Sequence, residues 1–125
     1  MIKIDKEQLI RLHESLIRSF GGSQGVRDEF LLDLCLASPF QTFEGKDLYP
    51  DTIKKVAHLG YSLVKYHPFV DGNKRIGAHV TLVLLEINGF SVSYSQEELI
   101  RVILGIADSS LKEAQWQKWI YDHLI

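Results

Sequence analysis

The chain predicts an all-α fold, and three observations carry that expectation. Six segments place apolar residues three and four positions apart, capping or stopping residues bound most of them, and all but one of the connections between them are short. With 125 residues the chain has the size of one domain, residues 1–125, and can bury about two thirds of the surface it exposes when unfolded.

The first helix is expected from about Asp5 to Phe20. Asp5 and Gln8 form a capping-box pair, and Gly21-Gly22 supplies the stop. Leu9, Leu12, Leu16, Ile17 and Phe20 share one face with His13. The plain reading of His13 is a packed histidine bonded to a neighbouring carbonyl; the other is a ligand role. A second helix runs from about Arg27 to Ala37 on Phe30, Leu31, Leu34 and Cys35. The helical signal then stops between Ser38 and Pro50. The turn-prone Glu44-Gly45-Lys46-Asp47 centre of this stretch suits a short β-hairpin flap. Its aromatics either pin the loop to the core or dock a partner.

Asp51 caps a third helix, from about Thr52 to Tyr66, which must end at His67 because Pro68 disfavours helical geometry in the residue before it. The fourth is expected from about Asn73 to Asn88, stopped by Gly89. It is apolar nearly all round, so it is expected at the buried centre of the fold. A fifth starts at Ser95 with Glu98 as its box partner. A sixth starts near Ser110 with Glu113, with Trp116, Trp119, Ile120 and Leu124 as its stripe.

Composition narrows the function. A net charge of −2 and a pI near 6.2 argue against a general nucleic-acid binder. The longest apolar run, Val80 to Leu85, is too short to span a membrane. Cys35 is the only cysteine, and the charged N-terminus lacks the pattern of a secretory signal, so a cytoplasmic location is expected.

Residues 67 to 75 read His-Pro-Phe-Val-Asp-Gly-Asn-Lys-Arg. A helix opening at Gly72 or Asn73 points unpaired N–H groups forward, with Lys74 and Arg75 at its positive end. That placement costs about 0.3–1 kcal/mol per cation unless an anion sits nearby, and phosphate is the commonest anion at such an end. Each residue also has a plainer alternative. His67 is a general base or a histidine favoured by the helix C-terminus. Asp71 holds Mg²⁺ or caps a helix. Gly72 admits a ligand or makes a tight turn. Asn73 donates to a phosphate or caps. Lys74 and Arg75 bind phosphate oxygens or are solvated. Phe69 anchors the loop. Together they are the equipment for phosphoryl or nucleotidyl transfer.

These nine residues resemble the Fic motif, His-x-Phe-x-(Asp/Glu)-Gly-Asn-Gly-Arg-x-x-Arg, and the Lys74 variant is similar to the Doc branch, the death-on-curing toxins of toxin–antitoxin pairs. The resemblance implies a small Fic-like helical domain with a flap near Phe40 to Leu48. It implies His67, Lys74 and Arg75 as catalytic residues, with Asp71 on Mg²⁺. The ATP-binding residues would be Phe69, Gly72, Asn73, Lys74 and Arg75. Lys74 stands where most Fic enzymes have a glycine, and in Doc-like toxins such a lysine accompanies transfer of the γ-phosphate. Ala78 stands in place of the last arginine, which removes a cation an AMP transferase would use. Phe40 stands where the family's self-inhibitory (Ser/Thr)-x-x-x-Glu-(Gly/Asn) segment needs Ser or Thr, so inhibition by a separate antitoxin chain is implied.

The expected function is therefore that of a Doc-like toxin kinase. It would move the γ-phosphate of Mg·ATP to a Ser or Thr hydroxyl of a translation factor, elongation factor Tu by resemblance. AMP transfer to a protein hydroxyl is the alternative. A catalytically silent module that holds a partner with its flap is another, as is a metal phosphohydrolase built from His58, His67, Asp71 and His79.

Overall fold

Two consecutive helices, α3 (Thr52–Tyr66) and α4 (Asn73–Ile87), form the central pair, and the other elements pack around them. The computed structural model describes all residues from 1 to 125. Before this pair come α1 (Lys6–Phe20), α2 (Glu29–Ala37), a single 3₁₀ turn (Ser38–Phe40) and a hairpin of β1 (Thr42–Phe43) and β2 (Lys46–Asp47). After it come α5 (Gln96–Ala107) and α6 (Glu113–Asp122). The protein is all-α with one small antiparallel hairpin, as its sequence pattern predicts.

Most helix ends fall where their caps put them. The Asp5–Gln8 capping box closes in both directions. The carboxylate of Asp51 accepts from the Lys54 N–H, and Ser95 Oγ accepts from the Glu98 N–H. Two starts differ from expectation. α2 begins at Glu29 with Asp28 as its cap, because the N–H groups of Arg27 and Asp28 are both spent on Pro68 O. α6 begins at Glu113, not near Ser110. The Ser110 N–H turns back to Asp108 Oδ1 instead, and Lys112 N–H finds Gln115 Oε1. Leu124 lies beyond that helix and bridges to Val92.

The buried centre also differs from expectation. Nine of the fifteen residues of α3 are buried, against seven of the fifteen in α4, and α3 touches α2, α4, α5, α6 and the 3₁₀ turn. Its small residues Ala57, Gly60 and Ser62 let neighbours approach from several sides, so a mixed sequence sits deeper than the more continuously apolar α4. Ile87 at the end of α4 remains half exposed.

The core runs from Leu9 of α1 through Val56, Leu63 and Val64 of α3 and Ile76, Val80 and Leu84 of α4 to Trp116 and Ile120 of α6. Trp116 Nε1–H donates to Ala57 O at 3.0 Å, so the largest core side chain leaves no polar atom unmet.

Tyr121 ties α6 to the start of α3, its hydroxyl donating to Asp51 Oδ2 at 2.6 Å. Burial, and then that bond, push the phenol up to about 12. A raised phenol keeps its stabilising contribution below the ordinary tyrosine value of ~10 and loses it as pH rises through about 12. Tyr121→Phe is expected to cost ~1 kcal/mol at neutral pH. Urea melts should show that gap to wild type closing as the pH is taken up through the shifted phenol value.

The hairpin turns at Glu44 and Gly45, both at positive φ, as a two-residue type I′ turn requires. Lys55 Nζ holds its base through Asp47 and the Tyr49 carbonyl. The loop aromatics divide between the two readings. Tyr49 stacks on His58 at 4.1 Å, whereas Phe43 at the tip is 67% exposed. No helix is long and apolar enough to cross a membrane.

Candidate active site

The loop between α3 and α4 carries the site, and a strand-like segment from residues 25 to 28 holds its shape. Val70 N–H donates to Gly25 O, Arg27 and Asp28 N–H donate to Pro68 O, and Val26 bridges Phe69. Asn73 completes the loop from inside. Its Oδ1 accepts from Phe69 N–H and its Nδ2 donates to Phe69 O, both at 3.0 Å. Asn73 is buried, so its amide chiefly shapes the loop, and one Nδ2 hydrogen and the backbone N–H remain for a ligand.

Phe69 is 1% exposed, and its ring stacks on His13 at 3.8 Å. It is the anchor its position suggested, and it forms part of the wall of the neighbouring cleft. His13 is a packed histidine bonded to a carbonyl, and that carbonyl belongs to Asp71, at 2.7 Å. Because a carbonyl only accepts, Nε2 of His13 carries the proton.

Asp71 projects at the start of α4 without capping it. Its Oδ2 accepts from Ser23 N–H at 3.1 Å and its Oδ1 from Gly72 N–H at 2.8 Å. These two donors, Ser23 first, hold the carboxyl below the usual aspartate range, and the nearby Lys74 charge adds to them. The group is therefore ionised at neutral pH, and each oxygen keeps a lone pair for a cation. Gly22 must be glycine here: its φ is +116°, and an added Cβ would stand 2.7 Å from Asp71 Oδ2.

Gly72 is the N-cap of α4, at φ +73°, with no side-chain cap. The first N–H bonded along the helix is that of Ile76, to Gly72 O. The N–H groups of Asn73, Lys74 and Arg75 thus carry no bond within the protein, and neither Lys74 nor Arg75 is in an ion pair. This is the donor set of an anion cradle.

In front of it lies a cleft of about 510 Å³ lined by Arg27, His67, Phe69, Val70, Asp71, Gly72, Asn73 and Lys74. His67 is the C-cap of α3, in a left-handed conformation at φ 50°, ψ 57°, and it is exposed. Its imidazole makes no hydrogen bond, so both ring nitrogens are free for a substrate.

Arg75 departs from its expected place. Its guanidinium lies over the Phe20 ring, 4.2 Å from the centroid, and it is not a wall of the cleft. Arg27 stands in that wall instead. His58 and His79 do not join His67 and Asp71, and no three His, Cys, Asp or Glu side chains converge anywhere. His58 is bound to Glu113 Oε2 and Ser38 Oγ, at 2.7 and 3.0 Å. The single carboxylate in the cleft suits Mg²⁺, which takes one or two carboxylates and fills its shell with water and phosphate oxygens.

Sequence reasoning did not anticipate Gly22 and Ser23 as supports of the site, Phe20 as the ring that holds Arg75 outside it, or Arg27 in its wall. The one signal available was the glycine-rich run Gly21-Gly22-Ser23-Gln24-Gly25, which reads first as a helix stop but also allows close backbone approach.

Comparison with known proteins places the chain's family. A family model described as "Fic/DOC family" matches residues 3–85, from the start of α1 to near the end of α4. A protein of Mycolicibacterium smegmatis (strain ATCC 700084 / mc(2)155) named "Toxin Doc" is 43% identical over 75 residues. The match covers 60% of this chain and 58% of that protein.

Proposed function

Because the chain belongs to the Fic/DOC family, we propose that it is a Doc-type toxin that phosphorylates a Ser or Thr hydroxyl of a translation factor, elongation factor Tu. One observation carries the reading. A free imidazole, an ionised carboxylate and three unbonded N–H groups beside Lys74 surround one cleft. The likeness to a protein named "Toxin Doc" supports the toxin part of it.

Mg·ATP supplies an electrophilic γ-phosphorus, with the metal's charge on its phosphates. Asp71 would hold the metal. The N–H groups of residues 73 to 75 and the Lys74 ammonium would hold phosphate oxygens. The target hydroxyl passes its proton to His67 as its oxygen bonds to the γ-phosphorus. The bond from that phosphorus to the β–γ bridging oxygen breaks, and ADP leaves. Lys74 narrows the space in front of the cradle that a glycine would leave open, which favours this reading over AMP transfer.

The partners proposed are the target protein and a separate antitoxin chain that blocks the site, acting in the cytoplasm, where ATP and the translation factor are found. Incubation with elongation factor Tu and ATP labelled on either the α- or the γ-phosphate tests the chemistry. Label from the γ position on the target is the expected result. Label from the α position would replace the proposal with AMP transfer, and no label from either would leave a silent binding module.

Arg75 would have to leave Phe20 to reach phosphate. That stacking is worth about 0.5–1 kcal/mol at an exposed site. Phe20→Ala is therefore expected to lower the KM for ATP by roughly two- to fivefold. An unchanged or raised KM in initial-rate assays would leave Arg75 on the surface and out of the reaction.

A further inference from the structure

His67 stands in a conformation that neither of its neighbours favours. Continuing α3 would need right-handed helical angles, and Pro68 pushes the preceding residue toward extended ones. Yet His67 sits at φ 50°, ψ 57°, a region that non-glycine side chains rarely occupy. A residue held there persists only where its surroundings over-determine it. The imidazole cannot be what holds it, since the ring makes no hydrogen bond and faces solvent. A catalytic histidine is commonly aimed by a partner on its second nitrogen. Here that partner is missing, so the aim of the ring is inherited from the backbone.

Arg27 supplies the grip on that backbone. Its Nε–H donates to His67 O at 2.6 Å and its Nη2–H to Tyr66 O at 2.8 Å. These are carbonyls at the C-terminal end of α3, which the helix itself leaves without partners and which attract a cation. The main chain of Arg27 works on the same loop, its N–H donating to Pro68 O at 2.8 Å. One residue therefore holds three consecutive carbonyls, of Tyr66, His67 and Pro68, from a position forty residues away from His67. The planar fork matters, because an ammonium is a point charge that cannot present two donors in that fixed geometry.

We propose that Arg27 is a positioning residue for the transfer reaction: it locks His67 in its left-handed conformation and so aims the imidazole into the cleft. The inference rests on the kinase reading for its kinetic arm and stands apart from it in its structural arm.

The test uses the full chain as wild type, Arg27→Lys and Arg27→Gln, with far-UV circular dichroism confirming that each variant is folded. In the protein without nucleotide, the ¹³Cα and ¹³Cβ shifts of His67 report its backbone conformation. They are expected to leave left-handed values in both variants. With γ-labelled ATP and elongation factor Tu, kcat is expected to fall on the order of 10²-fold, as for a reacting group misplaced by about 1 Å, while the KM for ATP stays the same. Arg27→Lys should recover little, since its ammonium keeps the charge but not the fixed fork. Unchanged His67 shifts with an unchanged kcat would overturn the proposal. A raised KM with unchanged kcat would also overturn it, by making Arg27 a phosphate contact. If wild type transfers no label, the kinase reading fails, and the chemical shifts alone still decide whether the clamp exists.

Discussion

His67→Ala is expected to slow transfer by about 10²–10⁴-fold, the usual contribution of a general base, with the melting temperature close to wild type. The asymmetry follows from what the residue touches. Its ring is exposed and makes no hydrogen bond, so removing it leaves no cavity and orphans no partner. Alanine meets the same left-handed backbone with a similar steric cost, and the contacts that hold the loop belong to Arg27, Asn73 and Pro68. Initial rates at saturating ATP, read beside a thermal melt, separate chemistry from folding. A variant as fast as wild type would remove His67 from the mechanism and with it the central residue of the proposed function.

The second large effect lies at the seam between α3 and α4. Gly60 and Gly77 face each other there. A Cβ on Gly60 would fall 2.0 Å from Thr81 Oγ1 and 3.1 Å from the Gly77 carbonyl. Thr81 cannot simply turn aside, because its hydroxyl donates to Gly77 O at 2.7 Å inside the core. Gly60→Ala would gain about 1 kcal/mol in helix propensity. Against that stand about 1–3 kcal/mol for overpacking and a further ~1–3 kcal/mol if the buried hydroxyl loses its partner.

The net loss is about 1–5 kcal/mol, and the middle of that range lowers the melting temperature of a domain this size by roughly 10 °C. Adding Thr81→Ala should recover much of it, since the clash and the hydroxyl disappear together, and such coupling is expected of residues in contact. Stabilisation by Gly60→Ala alone would mean that the helices do not approach this closely. Transfer should weaken as well. His67 caps the end of α3 and the unbonded N–H groups of residues 73 to 75 open α4, so spacing these helices apart would separate the two sides of the cleft that the proposed transfer needs.

The site was legible in large part because it is contiguous. A histidine, a carboxylate, a glycine, an amide and a cation lie within nine residues, in the short connection between two consecutive helices. The opening of α4 at Asn73 follows from Gly72, and the end of α3 at His67 follows from Pro68, each by local sterics. His13 was also readable, since a buried histidine needs a carbonyl. Which carbonyl it finds, that of Asp71 fifty-eight positions away, depends on how α1 lies against the loop.

What escaped the linear reading is what crosses the chain. Arg27 looked like the first turn of a helix because its neighbours carry helical periodicity, but pairing with Pro68 drew it out. Arg75 looked like a phosphate ligand by its place in the motif, and an aromatic ring from the end of α1 holds it on the surface. The start of α6 moved by about a turn because Ser110 found Asp108, a choice between two local bonds of similar strength that capping rules do not rank.

By itself the sequence determined the helical class, the hairpin, most of the caps and which candidate groups lie together between His67 and Arg75. All of these depend on interactions spanning a few residues. Only the tertiary structure decided that α3 is the buried helix, that Gly22 and Ser23 receive the Asp71 carboxylate, and that a guanidinium from the edge of α2 binds the Tyr66 and His67 carbonyls. Those outcomes depend on contacts between segments distant in the chain, and the packing of the helices, which the order of residues does not display, selects among them.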